Sequence, residues 1–372
     1  VTDPQSWLPP TSADAPAPAF GAYGPPPGGG QPPGWTPPPR PGLIPLRPLG
    51  FGTLLWAPFQ VLRRNPKATF GSALIVQAAI TLVTLVVVGL VTFFALGRID
   101  SASASERDAV EAGSIAAIVL SAIVPVALSV IASALLQGII VVEVARGTLG
   151  EKLSLGRLWR AAGRRLWPLV LWAVLLSAAV LLPAGILVGG VALLVALGGP
   201  WLGLGVALGI LGGLALVAGW IWLFTKTSLA PSLIVLERLG IRRAVSRSWS
   251  LTGGYFWRTL GVQFLVATIV NVVAQIVTTP LSLLFGVAVS LVDPNAAFEA
   301  WIPSIFLYVL TIFTALGLGA VTAVIQSATT ALIYIDLRMR KEGLDLDLQR
   351  YVEAAGAGRG EGLADPYLAP GA

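Results

Sequence analysis

Chemistry in this sequence rests on arginine and a few carboxylates, because histidine and cysteine are both absent. That removes the imidazole base, the thiol nucleophile, the disulfide and the His- or Cys-held metal. Two stretches gather the arginines. Arg157, Arg160, Arg164 and Arg165 fall within residues 143–166, and Arg243, Arg247 and Arg258 within residues 226–258. At 100° per residue Leu155, Leu158, Trp159, Ala162 and Leu166 share one helical face, and the first four arginines take the other. Ile241, Ala244 and Val245 against Arg243 and Arg247 repeat the arrangement more weakly. A basic amphipathic helix of this kind lies at the headgroup boundary, where each cationic side chain beside an anionic leaflet contributes about 1 kcal/mol. These seven arginines are the candidate contacts to anionic lipid headgroups.

Three acids stand close to an arginine: Glu143 with Arg146, Glu237 with Arg238, and Asp336 with Arg338. None has a second acid, a base or a metal ligand at useful spacing, so the expectation is a helix-end ion pair worth less than about 1 kcal/mol. No catalytic residue, cofactor or metal site is expected, and no nucleic-acid partner. About ten positions before each acid the chain turns polar, at Gln137, Lys226 and Gln326. If the acids mark the membrane surface, Lys226 lies about 16 Å along its helix from it. An ammonium at that depth is costly and points to function, so these three residues form a candidate vestibule. The competing expectation is that the helices project past the membrane and Lys226 lies at the interface.

The elements that carry these residues are apolar. Of 372 residues 55% are hydrophobic and only 11% charged, against roughly 25% charged in soluble domains. Segments long enough to cross about 30 Å of hydrocarbon occur six times, at residues 69–96, 114–142, 167–197, 201–224, 259–291 and 303–335. Basic side chains concentrate in cytosolic loops. Residues 97–113 hold only Arg98 and Arg107 against four acids, and residues 292–302 hold no basic residue. All the other lysines and arginines then fall on the side of the two tails, which makes both termini cytoplasmic in a multi-pass plasma-membrane protein. Residues 1–48 are proline- and glycine-rich and lack a signal-peptide pattern, so they read as a disordered cytosolic tail. Within them Pro37 to Pro41, interrupted by Arg40, is a polyproline II candidate for docking a cytosolic protein. Residues 49–345 form the membrane domain and 346–372 a flexible tail.

An offset of 90 residues superposes the two basic stretches. Arg157, Trp159, Gly163 and Trp167 fall on Arg247, Trp249, Gly253 and Trp257, the pattern R-x-W-x3-G-x3-W. Trp56, Arg63, Arg64, Asn65 and Pro66 echo it before the first span. The implied unit is a cytosolic amphipathic helix, an outward span, a turn and a return span. Within the spans Gly205, Gly209 and Gly213, and a ridge from Ala315 to Ala331, allow close helix approach. Pro125, Pro183, Pro231 and Pro280 are sites for kinks.

The run Ile44 to Gly50, the Arg247-Ser248-Trp249 and Phe256-Trp257-Arg258 groups, and Asp336-Leu337-Arg338 followed by Arg340 to Asp345 carry a family resemblance. Over residues 43–348 the chain resembles the actinobacterial integral membrane proteins of the glycerophosphoryl diester phosphodiesterase membrane-domain family. In some members this membrane domain precedes a soluble phosphodiesterase domain. Here only a short Gly- and Ala-rich stretch follows Asp345, and the His and carboxylate clusters of a metal-dependent phosphodiesterase are missing, so the resemblance implies a membrane domain without that activity. The expectation is an all-α, six-span membrane protein that is not an enzyme. Its expected role is interaction or accessory, with basic helices on anionic lipid. The alternative is a carrier or flippase-like passage for an amphiphile, opening at Gln137, Lys226 and Gln326.

Overall fold

The computed structural model describes residues 42–103, 105–293, 298–357 and 364–368, and the expected polyproline segment lies outside them. Among the described residues the regular elements are all helices. In chain order they are α1 (Phe51–Arg64), α2 (Pro66–Ser101), α3 (Arg107–Ser121), α4 (Ile123–Thr148), α5 (Leu155–Gly163), α6 (Leu166–Leu197), α7 (Trp201–Thr227), α8 (Ala230–Val235), α9 (Ile241–Thr252), α10 (Phe256–Ser290), α11 (Phe298–Glu342) and α12 (Leu344–Gly356).

A short amphipathic helix followed by a long hairpin occurs three times, so the weak echo around Trp56 is a true third copy. The tryptophan motif marks the joints. Gly163 closes α5 and Gly253 caps α9, and Trp167 and Trp257 then stand at the second position of α6 and α10, about 80% exposed in each case (81% and 80%). In the first unit Asn65 and Pro66 make the same break, since proline lacks the N–H that a first helical turn leaves unpaired. Two return helices are interrupted where new segments start beside a proline, α4 at Pro125 and α8 at Pro231. Gly198 and Gly199 both take left-handed backbone (φ 65° and 54°) to turn α6 into α7, a conformation that favours glycine.

The three units close into a ring. Each return helix packs on the outgoing helix of the next unit, α4 on α6, α7 on α10, and α11 on α2. Each short helix packs on the return helix of the unit before it, α5 on α4, α9 on α8, and α1 on α11. The inner ends of α4, α8 and α11 meet one another, and their residues are nearly all buried. The apolar faces of the short helices are thus turned onto protein: Leu158 and Ala162 of α5 and Ala244 of α9 are 0% exposed.

Six helices of 32 to 44 residues are long and apolar enough to span a membrane. Their most apolar windows are only 0–22% buried within the protein, leaving side chains such as Phe93, Leu182 and Ile186 facing outward. Helices of that length reach about 48–66 Å, well beyond the roughly 30 Å hydrocarbon core. The surplus turns form the buried core at the short-helix end. This is an all-α polytopic membrane protein.

The packed region extends past both expected boundaries of the membrane domain. Leu43 and Ile44 are buried, and the Leu43 N–H donates to Gly147 O at the end of α4 (3.0 Å). Residues 346–356 belong to α12, whose Leu348 is buried, and Tyr367 is 1% exposed. Segments expected to be free are therefore held by apolar anchors that a glycine- and alanine-rich composition concealed.

Candidate functional site

The arginines at the short-helix end fall into two classes, and the first is committed to buried carboxylates. Glu237, its side chain 0% exposed, lies 2.6 Å from Arg247 and 3.6 Å from Arg338, and accepts from the Tyr334 hydroxyl (2.9 Å). Arg338 also donates to Tyr334 Oη (2.9 Å), Glu342 (2.8 Å) and Tyr367 O (3.1 Å), which ties α11 to the chain terminus. Asp336 accepts from the Leu49 N–H (2.8 Å) and Arg340 (3.0 Å), and Arg258 stands 3.3 Å away. Arg258 and Arg340 both donate to Leu49 O as well, fixing the chain as it enters α1. Glu143 accepts from Asn65 (3.1 Å), and that amide also reaches Leu153 O.

None of the three neighbouring acid–arginine pairs forms. Asp336 and Arg338, two apart on α11, do not face each other; Arg238, past the end of α8, faces the pocket while Glu237 is bound by Arg247; and Arg146, although three positions from Glu143, turns to Asp365 (2.5 Å) and Glu151 (3.9 Å). The carboxylates are buried partners of distant elements, not helix-end ornaments, and they hold the ring of units together.

The second class surrounds a pocket of about 640 Å³. Its walls are Arg146 from α4, Arg157 and Arg160 from α5, Arg164 and Arg165 from the α5–α6 joint, and Arg238 after α8. Val142, Leu153, Val235 and Leu236 supply an apolar lining, and Glu151 and Asp365 are its two acids. The amphipathic pattern of α5 explains the geometry: Leu158 and Ala162 seat the helix on α4, and its basic face is left over the opening. Among the described residues Arg160, Arg164, Arg165 and Arg238 have no carboxylate partner, and Arg157 bonds only to Ser154 Oγ (3.3 Å). Arg238 is the one described non-glycine residue with left-handed backbone (φ 55°). Such a conformation costs about 1–3 kcal/mol at a site where glycine would be free of strain, and here it delivers a guanidinium to the pocket.

Tyr367 locks the strand of tail that carries Asp365. Its hydroxyl contacts Thr148, its ring is buried, and burial holds the phenol well above its ordinary titration range.

Of the seven sequence-derived lipid contacts, Arg157, Arg160, Arg164 and Arg165 share this pocket. Arg243 lies apart, with Arg242, in an open groove on α9 of about 550 Å³. Arg247 touches the same groove but is held by Glu237 and Glu342, and Arg258 is held by Asp336 and Leu49 O; these two are structural cations, corrected by carboxylates the sequence placed elsewhere. The expected vestibule residues lie on three different helices, α4, α7 and α11. Lys226 sits over the rings of Trp249 and Phe256 (5.9 and 5.8 Å), Gln137 is half-buried on α4, and Gln326 is exposed on α11. None of the three lines the arginine pocket, the α9 groove, or the cavities between α2 and α3 and beside α1. Trp249 belongs to α9, so Lys226 lies at the level of the short helices, where its charge is met by aromatic faces.

Sequence reasoning missed Arg146, Arg238 and Asp365 as pocket residues. The arginines had been assigned to adjacent acids. An Asp-Pro-Tyr group inside a Gly- and Ala-rich tail was the one compositional signal for Asp365. No protein-family model, curated protein or solved structure matches the chain.

Proposed function

We propose that this chain is a plasma-membrane interaction or accessory protein whose basic end, with both termini, faces the cytosol and contacts anionic lipid headgroups. The observation that carries the reading is the pocket itself. Five guanidiniums without a carboxylate partner converge at the end where the spans emerge, next to the exposed Trp167. Unbalanced like charge of this density requires counter-anions, and an anionic leaflet supplies them. The Arg242–Arg243 groove on α9 adds a second basic contact on the same end. Among the described residues no group of three or more His, Cys, Asp or Glu side chains could hold a metal ion. The resemblance to the glycerophosphoryl diester phosphodiesterase membrane-domain family is compatible with a membrane module of this kind, and the proline-rich segment is a docking point for a cytosolic protein. The carrier alternative has less support, because Gln137, Lys226 and Gln326 line none of the pockets described above.

The test is the lipid that travels with the protein. Extracted in polymer discs, the wild type should be enriched in anionic phospholipid over the bulk membrane. A variant carrying both the Arg157→Gln, Arg160→Gln, Arg164→Gln changes and Arg242→Gln, Arg243→Gln should lose that enrichment. A wild-type lipid composition indistinguishable from bulk would overturn the reading.

A further inference from the structure

We infer that the arginine pocket is a binding site for a phosphoryl group carrying two or more negative charges, a phosphate monoester or a diphosphate, and that Asp365 occupies its Arg146 position until the anion displaces it. This deepens the proposed lipid contact and rests on it for the membrane-facing orientation. Three observations and one general rule of phosphoryl recognition converge. The lining holds six arginines against two carboxylates, an excess that a singly charged diester would leave largely unmatched. Guanidinium is the donor that matches phosphoryl oxygens with paired N–H groups. At about 640 Å³ the pocket is large enough for a headgroup rather than a single ion, and its apolar wall of Val142, Val235 and Leu236 suits the non-phosphate part of an amphiphile. The Arg238 backbone is held in a left-handed conformation at the pocket rim.

Asp365 is the pocket's own anion. Its carboxylate lies 2.5 Å from Arg146, and it belongs to the short Asp365–Leu368 segment anchored by the buried Tyr367. A carboxylate carries one charge and leaves Arg157, Arg160, Arg164, Arg165 and Arg238 uncompensated. A dianionic phosphoryl group reaching Arg146 would compete with it directly, so binding and tail release are linked.

The purified, delipidated full-length protein in neutral detergent is titrated with inorganic pyrophosphate and, separately, with short-chain soluble phosphatidic acid and phosphatidylglycerol. Exposure of the C-terminal segment is read by limited proteolysis. Saturable binding is expected for at least one of the two multiply charged probes, tighter than for phosphatidylglycerol. Arg160→Gln with Arg164→Gln should weaken it at least tenfold, whereas Arg242→Gln with Arg243→Gln, the same charge change on α9, should weaken it less than twofold. Asp365→Asn should tighten it several-fold, and the bound probe should speed cleavage of the tail. Preference for pyrophosphate over phosphatidic acid identifies a soluble phosphate ligand, and the reverse a lipid headgroup; both support the site. Equal losses from the two double variants, or no saturable binding, would overturn the pocket. If anionic lipid still co-purifies in excess, the broader lipid-contact reading survives that failure. An Asp365→Asn protein of unchanged affinity would overturn the competition.

Discussion

Arg338 is the residue whose removal should do the most damage to the ring of units. It is 4% exposed on α11, and its guanidinium serves Tyr334 Oη, Tyr367 O and Glu342 while standing 3.6 Å from Glu237. In Arg338→Met the apolar stem is replaced, but Glu237, fully buried, is left with Arg247 and Tyr334. Deleting one partner of a buried pair costs about 3–5 kcal/mol because the other charge stays behind. Arg247 remains within 2.6 Å of Glu237, so the lower end applies, and the expected loss is about 3 kcal/mol. For a chain of this size that is a fall of roughly 4 °C in the midpoint of thermal unfolding, followed in detergent by tryptophan fluorescence. Glu237→Gln should cost less than Arg338→Met, since it keeps an acceptor for Tyr334. The double variant should lose at least about 1 kcal/mol less than the sum of the two. Strict additivity, or a loss from Arg338→Met below about 1 kcal/mol, would refute the view that this network joins α9, α11 and the segment after α8.

Three further outcomes follow from particular contacts. A side chain at Gly138 of α4 would meet Leu169 Cδ1 at 2.9 Å and Ala162 Cβ at 3.5 Å, so Gly138→Val should separate α4 from α5 and α6 at a cost of about 1–3 kcal/mol, read by the same melt; an unchanged midpoint would contradict that packing. Burial raises the Tyr367 phenol, so its docking contributes fully below about pH 10, the unfolded value, and is lost as pH rises toward the higher folded one. Proteolysis of the C-terminal segment should therefore accelerate above about pH 10 in the wild type and be fast at all pH values in Tyr367→Ala. Reporter fusions in the turns after α2 and after α10 should be active only outside the cytoplasm, and a cytoplasmic signal from either would invert the proposed orientation.

Much of the fold was legible because the bilayer imposes a coarse demand. A span must be apolar for about 20 residues, so six spans could be read from composition, and the breaks at Pro125 and Pro231 from the missing proline N–H. The tryptophan-glycine motif was readable as a joint because each residue does one local job there. The ion pairs were not, because they are made between units. Asp336 meets Leu49 from 287 positions away, and Tyr334 meets Glu237 from 97, so sequence proximity pointed each acid to the wrong arginine. The amphipathic face of α5 was read correctly but its neighbour was not. Lipid and the side of α4 make the same demand on Leu158, and only the packing of the second unit on the first distinguishes them.

The pocket exists because the repeat is imperfect. Arg157 and Arg247 occupy the same place in the motif, yet Arg247 is bound to Glu237 and Arg157 to no carboxylate. The difference lies in where the return helix ends. Helix α8 stops at Val235, two residues before Glu237, so that acid turns inward beside α9. Helix α4 continues to Thr148, five residues past Glu143, which leaves that carboxylate about 7.5 Å short of the helix end and in the grip of Asn65. With its acid withdrawn, the basic face of α5 has no carboxylate bonded to it among the described residues, and Arg146 and Arg238 add to an excess that Glu151 and Asp365 offset only in part. One unit uses its arginine to close the ring. The other, by extending a helix past its carboxylate, leaves the same residue facing the pocket, which is where the proposed anion would meet it.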